Sequence, residues 1–474
     1  MYRGRIKKVH FVGIGGSGMS GIAEVLVNMG YKVSGSDLRD SPVTKRLASL
    51  GVLIFKGHDK KNVIGQDSVV YSSAVDNDNP ELKEARRTQI PVLPRAEMLA
   101  ELMRLKYGVV VAGTHGKTTT TSMIADVMVR GAMDPTVVTG GRLNSIGANA
   151  KLGSGEFLVA EADESDGSFL RLSPTIAVVT NIDREHMDHY SDFEEVKNSF
   201  LDFINKVPFY GCAVLCLDHP VIQGLLPSIS RRVITYGLSA QSDVSAKNVT
   251  YCESETSFDL HSQGVVLGRV TISLPGAHNV ANALASIAVG LELGMDFEDI
   301  KKGLEGFEGV ERRFQVKGKV ADVLVVDDYA HHPVEIKAVL TAVKKGWKRR
   351  RIAVFQPHRY SRTKDQFGEF LSAFNDADVL IVTGIYSAGE RPLEGINAKE
   401  LCSAIKDHGH RNVVLVEDKD DIPGRLLEIT KGGDIVITMG AGDVYRVAER
   451  FLEELTKKYP KEKLRVVSKD GAKE

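Results

Sequence analysis

The chain has 474 residues, 43% of them hydrophobic and 26% charged, and its formal net charge is −1. This composition is typical of folded globular proteins, and the length predicts about two to four domains. The balanced charge argues against a nucleic-acid-coating protein. Four cysteines without a C-x-x-C spacing favour reduced thiols over a disulfide framework. With no signal-peptide core and no apolar run of about 18 residues, we expect a cytoplasmic protein without membrane insertion.

The first segment alternates strands, glycine-rich turns and helices. A strand predicted at His10–Val12 runs into the turn "GIGGSG", and the next strand, "YKVSGSD", ends at Asp37. This is the G-x-G-x-x-G pattern that holds a pyrophosphate at a helix N-terminus, with an acid placed to accept a hydrogen bond from ribose. It predicts a nucleotide diphosphate but does not distinguish nicotinamide from other nucleotides. The helix-like stretch "RAEMLAELMRLKYG" closes this first domain, predicted as residues 1–107.

The sharpest motif is "VVVAGTHGKTTT", which opens a second domain predicted as residues 108–312. A strand at Val109–Ala112 meets a glycine turn and then a helix, so backbone N–H groups and the helix dipole point at one phosphate-sized concavity. Lys117 can reach the β- and γ-phosphates of a nucleotide, and the Thr118 hydroxyl can ligate Mg²⁺. Val111 stands where the longer G-x-x-x-x-G-K-[ST] pattern has its first glycine, so only a shorter form is matched.

Acidic residues follow the next two predicted strands of this domain. The stretch "EFLVAEADESD" ends in Glu161, Asp163 and Glu164, and "VVTNIDREHMDHY" contains His186. Carboxylates at a strand end beside a phosphate loop suit a hard cation such as Mg²⁺, whereas a solvated acidic turn is the alternative. A zinc site at the second stretch has no support from any other ligand spacing. A strand-rich insert is predicted from about residue 231 to 275.

A third domain, predicted as residues 313–474, places polar clusters after two apolar strands. These are "VVDDYAHHP", with His332, and "VFQPHRYSRT", with His358, Arg359 and Arg362. Ligands of open α/β sheets bind at the carboxyl ends of strands, and arginines there suit carboxylate or phosphate, although surface charges remain the simpler alternative. Throughout the chain, Val/Ile/Leu-rich strands alternate with helices, which predicts three α/β domains with parallel sheets covered on both faces.

In chain order, these motifs resemble the ATP-dependent Mur ligases of peptidoglycan synthesis. The motifs on which the resemblance rests are "GIGGSGMSG", "YSSAV", "GTHGKTTT", "EADESD", "NIDREHMD", "HNVAN", "ERRF", "DDYAHHP" and "QPHRYSRT". The resemblance covers essentially the whole chain. It implies a Rossmann-like first domain for a UDP-sugar, a central P-loop ATPase domain and a Rossmann-like third domain. The implied reaction joins L-alanine to the carboxyl of UDP-N-acetylmuramate through an acyl phosphate, with ATP and Mg²⁺.

The resemblance also implies roles for individual residues. UDP-sugar binding falls to Gly13, Gly15, Gly16, Ser17, Gly18, Asp37, Ser72 and Ser73. ATP binding falls to Gly113, Thr114, His115, Gly116, Lys117, Thr118, Thr119, Asn279 and Arg313. Thr118, Glu161 and His186 are the implied metal ligands, and Lys117, His332, His358, Arg359 and Arg362 the catalytic group. Leu201 stands about where the ligases of later steps carry a carbamylated lysine, which favours the alanine-adding step.

Three alternatives stay open at this point. A recycling ligase that joins a preformed peptide to UDP-N-acetylmuramate shares much of the pattern. A nicotinamide-dependent oxidoreductase would use the first domain but leaves "GTHGKTTT" unexplained, and a regulatory P-loop ATPase leaves "QPHRYSRT" unexplained. For the ligase, we expect a hinge near Gly309–Phe314, because the groups that must meet at one carboxyl lie in different domains. The sequence does not indicate an oligomeric state.

Overall fold

The computed structural model describes residues 6–72, 74–144, 148–187 and 189–460. Ser73, an implied sugar-site residue, and Asp188 lie outside the described residues, as does the side chain of Ser17. Within the described part of the chain, no helix is both long enough and apolar enough to span a bilayer.

The first domain is a parallel sheet covered by helices. Its strands are β1 (Lys8–Val12), β2 (Lys32–Asp37), β3 (Leu53–Lys56), β4 (Ser68–Tyr71) and β5 (Val92–Pro94), and its helices are α1 (Ser17–Asn28), α2 (Pro42–Ser49), α3 (Pro80–Arg87) and α4 (Arg95–Met103). The strand order is β3-β2-β1-β4-β5, with every pair parallel. The order reverses beside β1, so the glycine turn between β1 and α1 lies at the point where such sheets bind ligands.

The central domain is built on a larger sheet. Its strands are β6 (Tyr107–Ala112), β7 (Thr136–Leu143), β8 (Ala148–Lys151), β9 (Phe157–Glu161), β10 (Ile176–Val179), β11 (Cys212–Cys216), β12 (Val233–Gly237), β13 (Val244–Cys252), β14 (Glu255–Ser262) and β15 (Val265–Ile272). Its helices are α5 (Lys117–Arg130), α6 (Phe193–Asn205), α7 (Pro220–Leu225), α8 (Ala277–Glu292) and α9 (Phe297–Glu305). The order is β15-β14-β13-β12-β11-β10-β6-β9-β7-β8. The predicted strand-rich insert corresponds to β12–β15.

The third domain has a six-stranded sheet. Its strands are β16 (Gln315–Val320), β17 (Val323–Asp328), β18 (Arg350–Phe355), β19 (Val379–Val382), β20 (Val413–Leu415) and β21 (Asp434–Met439), in the order β16-β17-β21-β18-β19-β20. Its helices are α10 (Pro333–Gly346), α11 (Tyr360–Asp365), α12 (Phe367–Ala373), α13 (Ala398–Asp407), α14 (Ile422–Ile429) and α15 (Tyr445–Lys458). Successive strand residues such as Val354 and Phe355 join different buried clusters, so helices cover both faces.

Two edge strands correct the prediction of purely parallel sheets. β8 pairs antiparallel with β7, and β16 pairs antiparallel with β17. The strand β16 precedes the point at which the sequence predicted the third sheet to begin. Its sequence, QVKGKV, is only partly buried and contains two lysines, so it lacks the continuous apolar run that marks an inner strand.

The chain divides into two compact units. The first comprises residues 1–249, 258–272 and 280–310, and the second residues 250–257, 273–279 and 311–474. The first two sheets therefore lie mostly in one unit and the third sheet in the other.

Candidate active site

The glycine turn of the first domain is held by the end of β2. Gly13, at φ +79°, donates its N–H to the Ser36 carbonyl at 2.9 Å, and Gly15 donates to Asp37 Oδ2 at 2.9 Å. A Cβ at Gly15 would lie 2.8 Å from that oxygen, so a side chain at this position would displace the carboxylate. Asp37, predicted to accept from ribose, thus already positions the turn. Helix α1 begins after Gly16, which has no side chain to cap it, so its first N–H groups suit water or an anion.

The predicted sugar-site residue Ser72 lies beside this turn. Its N–H donates to the Val12 carbonyl at 3.4 Å, and its hydroxyl accepts from the Ala74 N–H at 3.4 Å. A Cβ at Gly13 would be 3.7 Å from Ser72 Cβ. The ends of β1 and β4 therefore bring Ser72 and the glycine turn to the same edge of the sheet.

The phosphate loop between β6 and α5 requires two of its glycines. Gly113 has φ +132°, and a Cβ there would lie 2.1 Å from Thr180 Oγ1. Gly116 has φ +81°, and a Cβ there would lie 2.7 Å from Asn282 Oδ1. Both positions combine a backbone conformation that side chains disfavour with too little space for a methyl group, so the glycines are structural requirements of the loop.

Residues that follow β10 hold the phosphate loop in place by hydrogen bonds. The His115 N–H donates to Asn181 Oδ1 at 2.7 Å, and the Thr180 hydroxyl donates to the His115 carbonyl at 2.6 Å. The Asp183 N–H donates to Thr114 Oγ1 at 2.8 Å, and the Asp183 carboxylate lies 3.4 Å from His115 Nε2. These bonds fix the backbone of the loop at residues 114 and 115.

The Lys117 side chain binds the backbone of the phosphate loop and the carboxylate of Glu164. Its Nζ donates to the Gly113 carbonyl at 2.6 Å and to Glu164 Oε1 at 2.7 Å. Burial lowers the pKa of Lys117, but the carboxylates of Glu164 and Glu161 outweigh it and raise that pKa, which keeps the amine charged. Burial in turn raises the pKa of Glu164 to about 7 in spite of the lysine. Glu164 was recognised in the acidic run but was not among the predicted site residues.

Two of the three predicted metal ligands, Thr118 and Glu161, are in direct contact. The Thr118 hydroxyl donates to Glu161 Oε2 at 2.9 Å, and the Gly140 N–H donates to the same oxygen at 2.9 Å. His186 has φ +59°, and its Nε2 lies 3.7 Å from Glu164 Oε1.

The described residues contain no group of three or more His, Cys, Asp or Glu side chains placed to hold a metal ion. Glu164 Oε2 is nevertheless buried and lacks a hydrogen-bond partner among those residues. That orphaned oxygen and the Thr118–Glu161 pair are hard oxygen donors, so the residues present fit Mg²⁺.

A second polar cluster lies in the third domain, after β18. The His358 ring stacks on Tyr386 at 5.5 Å between centroids, and its Nδ1 accepts from Arg362 Nη1 at 3.1 Å. Burial, followed by the charges of Arg362, His331 and Arg359, lowers the pKa of His358 to about 3. His358 is therefore neutral. Arg359 has φ +67° and ψ 140°, a strained combination for a side-chain-bearing residue and a pointer to function.

Two residues of this cluster, Tyr386 and Glu390, were not predicted from the sequence. Tyr386 stacks on His358, and Glu390 accepts hydrogen bonds from the Ser361 N–H at 3.0 Å and hydroxyl at 2.6 Å. Glu390 Oε1 also lies 4.0 Å from Arg359 Nε. Both residues follow β19, so the rule that ligands collect at strand carboxyl ends points to them.

His332, predicted as catalytic, caps α10. Its Nδ1 accepts from the Val334 N–H at 3.3 Å, while the Glu335 carboxylate accepts from the His332 N–H at 3.3 Å. The residue is 3% exposed. One ring nitrogen is thus committed to the helix start.

Two further predicted ATP contacts are buried within their own elements. The Asn279 amide donates to the Pro275 carbonyl at 2.8 Å, which ties the start of α8 to the preceding turn. Thr119, one position beyond Thr118 in α5, is also buried. The structure therefore gives both residues a local packing role beside the predicted one.

The two arginines of "ERRF" have different surroundings. The Arg312 and Arg313 guanidinium groups lie 5.1 Å and 5.0 Å from the centre of the Tyr329 ring, but Arg312 Nε also donates to Asp327 Oδ2 at 3.1 Å. Arg312 is thus held by a buried carboxylate, and Arg313 remains the candidate for contact with ATP.

Three family models match the chain in order. They are the Mur ligase family catalytic domain over residues 8–107, the Mur ligase middle domain over 111–290 and the Mur ligase glutamate ligase domain over 312–442. The chain belongs to the Mur ligase family. The resemblance and the three-domain α/β fold predicted from the sequence are both confirmed.

Relatives of the family cover nearly the full length. A UDP-N-acetylmuramate–L-alanine ligase of Geotalea uraniireducens is 61% identical over 452 residues, 95% of this chain and 99% of the relative. The crystal structure of a UDP-N-acetylmuramate–alanine ligase from Thermotoga maritima has a TM-score of 0.81 at 29% identity, covering 95% of this chain and 99% of that one. A murein peptide ligase from Psychrobacter arcticus has a TM-score of 0.68 at 23% identity, covering 94% and 98%, and shows the shared fold alone.

Proposed function

We propose that this protein is an ATP-dependent ligase that joins L-alanine to the carboxyl group of UDP-N-acetylmuramate in peptidoglycan precursor synthesis. The observation that carries the proposal is the near full-length, 61% identity to a ligase of that name. The ordered motifs support it independently, since the oxidoreductase and regulatory ATPase alternatives each leave one of them unused. Cytoplasmic action, where thiols stay reduced, fits the buried free Cys212 and Cys216.

The proposed chemistry follows from the poor reactivity of a carboxylate toward an amine. Transfer of the γ-phosphoryl group of ATP to the carboxylate forms an acyl phosphate, which alanine attacks with release of phosphate. Lys117 would exchange its bond to Glu164 for the ATP phosphates and offset their charge during transfer. Thr118 and Glu161, with His186, would hold Mg²⁺, which supplies further charge neutralisation when bound.

The third-domain cluster would act at the second step. Arg359 and Arg362 are suited to a carboxylate or to the oxyanion of the tetrahedral intermediate. Neutral His358, whose Nδ1 accepts from Arg362, carries its ring proton on Nε2 and would donate a hydrogen bond to the substrate rather than act as a base. The glycine turn at Gly13–Gly18 would hold the pyrophosphate of the UDP-sugar.

The test is ATP-dependent phosphate release with UDP-N-acetylmuramate and, separately, L-alanine, glycine, L-serine or a muramyl-type tripeptide. We expect release with L-alanine in preference to the others, and loss of release when Mg²⁺ is chelated. Release with the tripeptide but not with L-alanine would identify a recycling ligase instead. NAD(P)⁺ reduction without ATP turnover would overturn the ligase assignment.

The Lys117→Ala variant tests the phosphate loop. Because the lysine offsets phosphate charge in the transition state, we expect kcat to fall by about a hundredfold or more. Full ligase activity in this variant would remove the phosphate-loop argument.

A further inference from the structure

Arg95 connects the first and central domains within one compact unit. It is the first residue of α4, and its Nη2 donates to Asp163 Oδ2 at 2.9 Å, across 68 residues of sequence. The Arg95 side chain is 18% exposed and the Asp163 side chain 43% exposed, so the ion pair is only partly shielded from water. Such a pair is worth more than an exposed one only when both partners stay bonded.

The other side of the same guanidinium faces the first turn of α1. A Cβ placed on Gly18 would lie 2.9 Å from Arg95 Nη1 and 3.2 Å from its Cδ. The arginine side chain therefore crosses closely over Gly18, beside the N-terminus of α1. A guanidinium has five N–H donors, and the bond to Asp163 uses one of them.

Asp163 continues the connection toward the ATP site. Its Oδ1 accepts from the Ser165 N–H at 3.1 Å and hydroxyl at 2.6 Å, which fixes the acidic loop. Burial raises the pKa of Asp163, but the Arg95 charge and the Ser165 bonds hold it below the usual value. The next residue, Glu164, binds Lys117 at 2.7 Å. A short chain of contacts thus runs from the glycine turn to the phosphate-loop lysine.

We propose that Arg95 binds the pyrophosphate of the UDP-sugar and, through Asp163 and Glu164, couples its binding to that of ATP. The proposal rests on the proposed function. Bound pyrophosphate places a second anion on Arg95 while Asp163 keeps the guanidinium oriented. The acidic loop is then held in place when Lys117 exchanges its bond to Glu164 for the ATP phosphates. By linkage, bound ATP must strengthen UDP-sugar binding by the same factor.

The experiment is calorimetry on the full chain, with UDP-N-acetylmuramate titrated in the absence and presence of a non-hydrolysable ATP analogue and Mg²⁺. In the wild type we expect the analogue to tighten UDP-sugar binding by about fivefold or more. Arg95→Ala should weaken UDP-sugar binding by about tenfold or more and abolish the effect of the analogue. Arg95→Lys, which keeps the charge without the planar donors, should recover part of the affinity.

Asp163→Asn separates coupling from binding. It keeps Arg95 but removes the charge that orients it, so we expect a smaller loss of affinity than in Arg95→Ala, together with loss of the coupling. The matched control is Arg171→Gln, which breaks the exposed pair between Arg171 and Glu97 of α4, 3.0 Å in length, and should leave both quantities unchanged. Thermal midpoints establish that each variant is folded.

Three outcomes overturn the inference: affinity for UDP-N-acetylmuramate in Arg95→Ala equal to wild type, no effect of the analogue in the wild type, or equal losses in Arg171→Gln and Arg95→Ala. If any of these outcomes is found while the wild-type protein turns over substrate, the inference is refuted and the proposed function stands. A wild type that neither binds UDP-N-acetylmuramate nor releases phosphate refutes the proposed function.

Discussion

The protonation of His358 illustrates how single residues take their chemistry from their surroundings. Nothing in "QPHRYSRT" predicts whether its histidine is charged. In the folded chain, burial and three cationic or basic neighbours lower its pKa to about 3. The ring is then an acceptor for Arg362 and a stacking partner for Tyr386.

This depressed pKa predicts a pH dependence of stability. As pH falls from about 6.5 toward 3, the unfolded chain binds a proton at His358 that the folded chain does not, so the free energy of unfolding decreases. His358→Gln should therefore show a smaller decrease than wild type over this range, measured by urea denaturation at a series of pH values. The exposed His408→Gln variant is the control and should follow the wild type. Equal slopes in all three proteins would contradict the prediction.

A matched pair of glycines separates backbone strain from loss of space. Gly57 has φ +80°, and beyond its chain neighbours no atom of the described residues lies within 4 Å of where a Cβ would stand. Gly116 has φ +81°, but there Asn282 Oδ1 is only 2.7 Å away. Gly57→Ala should cost about 1 kcal/mol of unfolding free energy, because strain acts alone. Gly116→Ala should cost about 2–3 kcal/mol and raise KM for ATP. Equal costs, from chemical denaturation, would show that the loop absorbs the added methyl group.

Among the secondary-structure elements, inner strands and phosphate-loop helices were predictable, whereas edge strands were not. β10 is a continuous run of buried apolar residues, and β6 and β17 contain such runs at residues 109–112 and 323–326, a pattern that is visible locally. β16 mixes polar and apolar residues and is only partly buried, so its pairing with β17 is what identifies it.

The N-terminal cap of helix α10 leads to a prediction about stability. His332 accepts from the Val334 N–H as the helix cap, and Glu335 completes a capping box. His332→Ala should lower the free energy of unfolding by about 1 kcal/mol, and His332→Asn, which can still accept that bond, should restore most of it. If His332→Asn restores stability but kcat stays low, the residue also acts in the reaction. A His332→Ala variant as stable as wild type would refute the capping role.

For the whole molecule, the chain passes between the compact units at five points, and the last of them, between Val310 and Glu311, lies inside the segment predicted as a hinge. Gly309, Arg312 and Phe314 have φ values of +81°, +61° and +45°. Left-handed conformations at two residues with side chains concentrate backbone strain in this linker. The proposed reaction requires groups from both units at one carboxyl, and we expect this linker to absorb part of any rotation that brings them together.

We therefore expect the chain to become more compact when substrates bind. Small-angle scattering should give a smaller radius of gyration with UDP-N-acetylmuramate and a non-hydrolysable ATP analogue than without ligands. Adenosine alone, which lacks phosphates, is the control and should produce no change. An unchanged radius with both substrates bound, as verified by calorimetry, would count against closure.

Features that depend on neighbouring residues could be predicted from the chain alone. Two glycine turns, the strands before them and the helices after them follow from local sterics and backbone hydrogen bonding, and their order along the chain indicated the family. The same local logic predicted Lys117, Thr118 and Glu161 as partners of one phosphate site, and the structure joins Thr118 to Glu161 by a hydrogen bond.

Which distant groups share a proton, a charge or a surface became clear only from the folded chain. Arg95 and Asp163 are 68 residues apart, Tyr386 stacks on His358 from another strand end, and Asp37, predicted to bind ribose, holds the glycine turn. Burial then set the charge states, as at His358. The physical reason is that Coulomb and desolvation energies depend on distance and dielectric environment in three dimensions, which residue spacing along the chain does not encode.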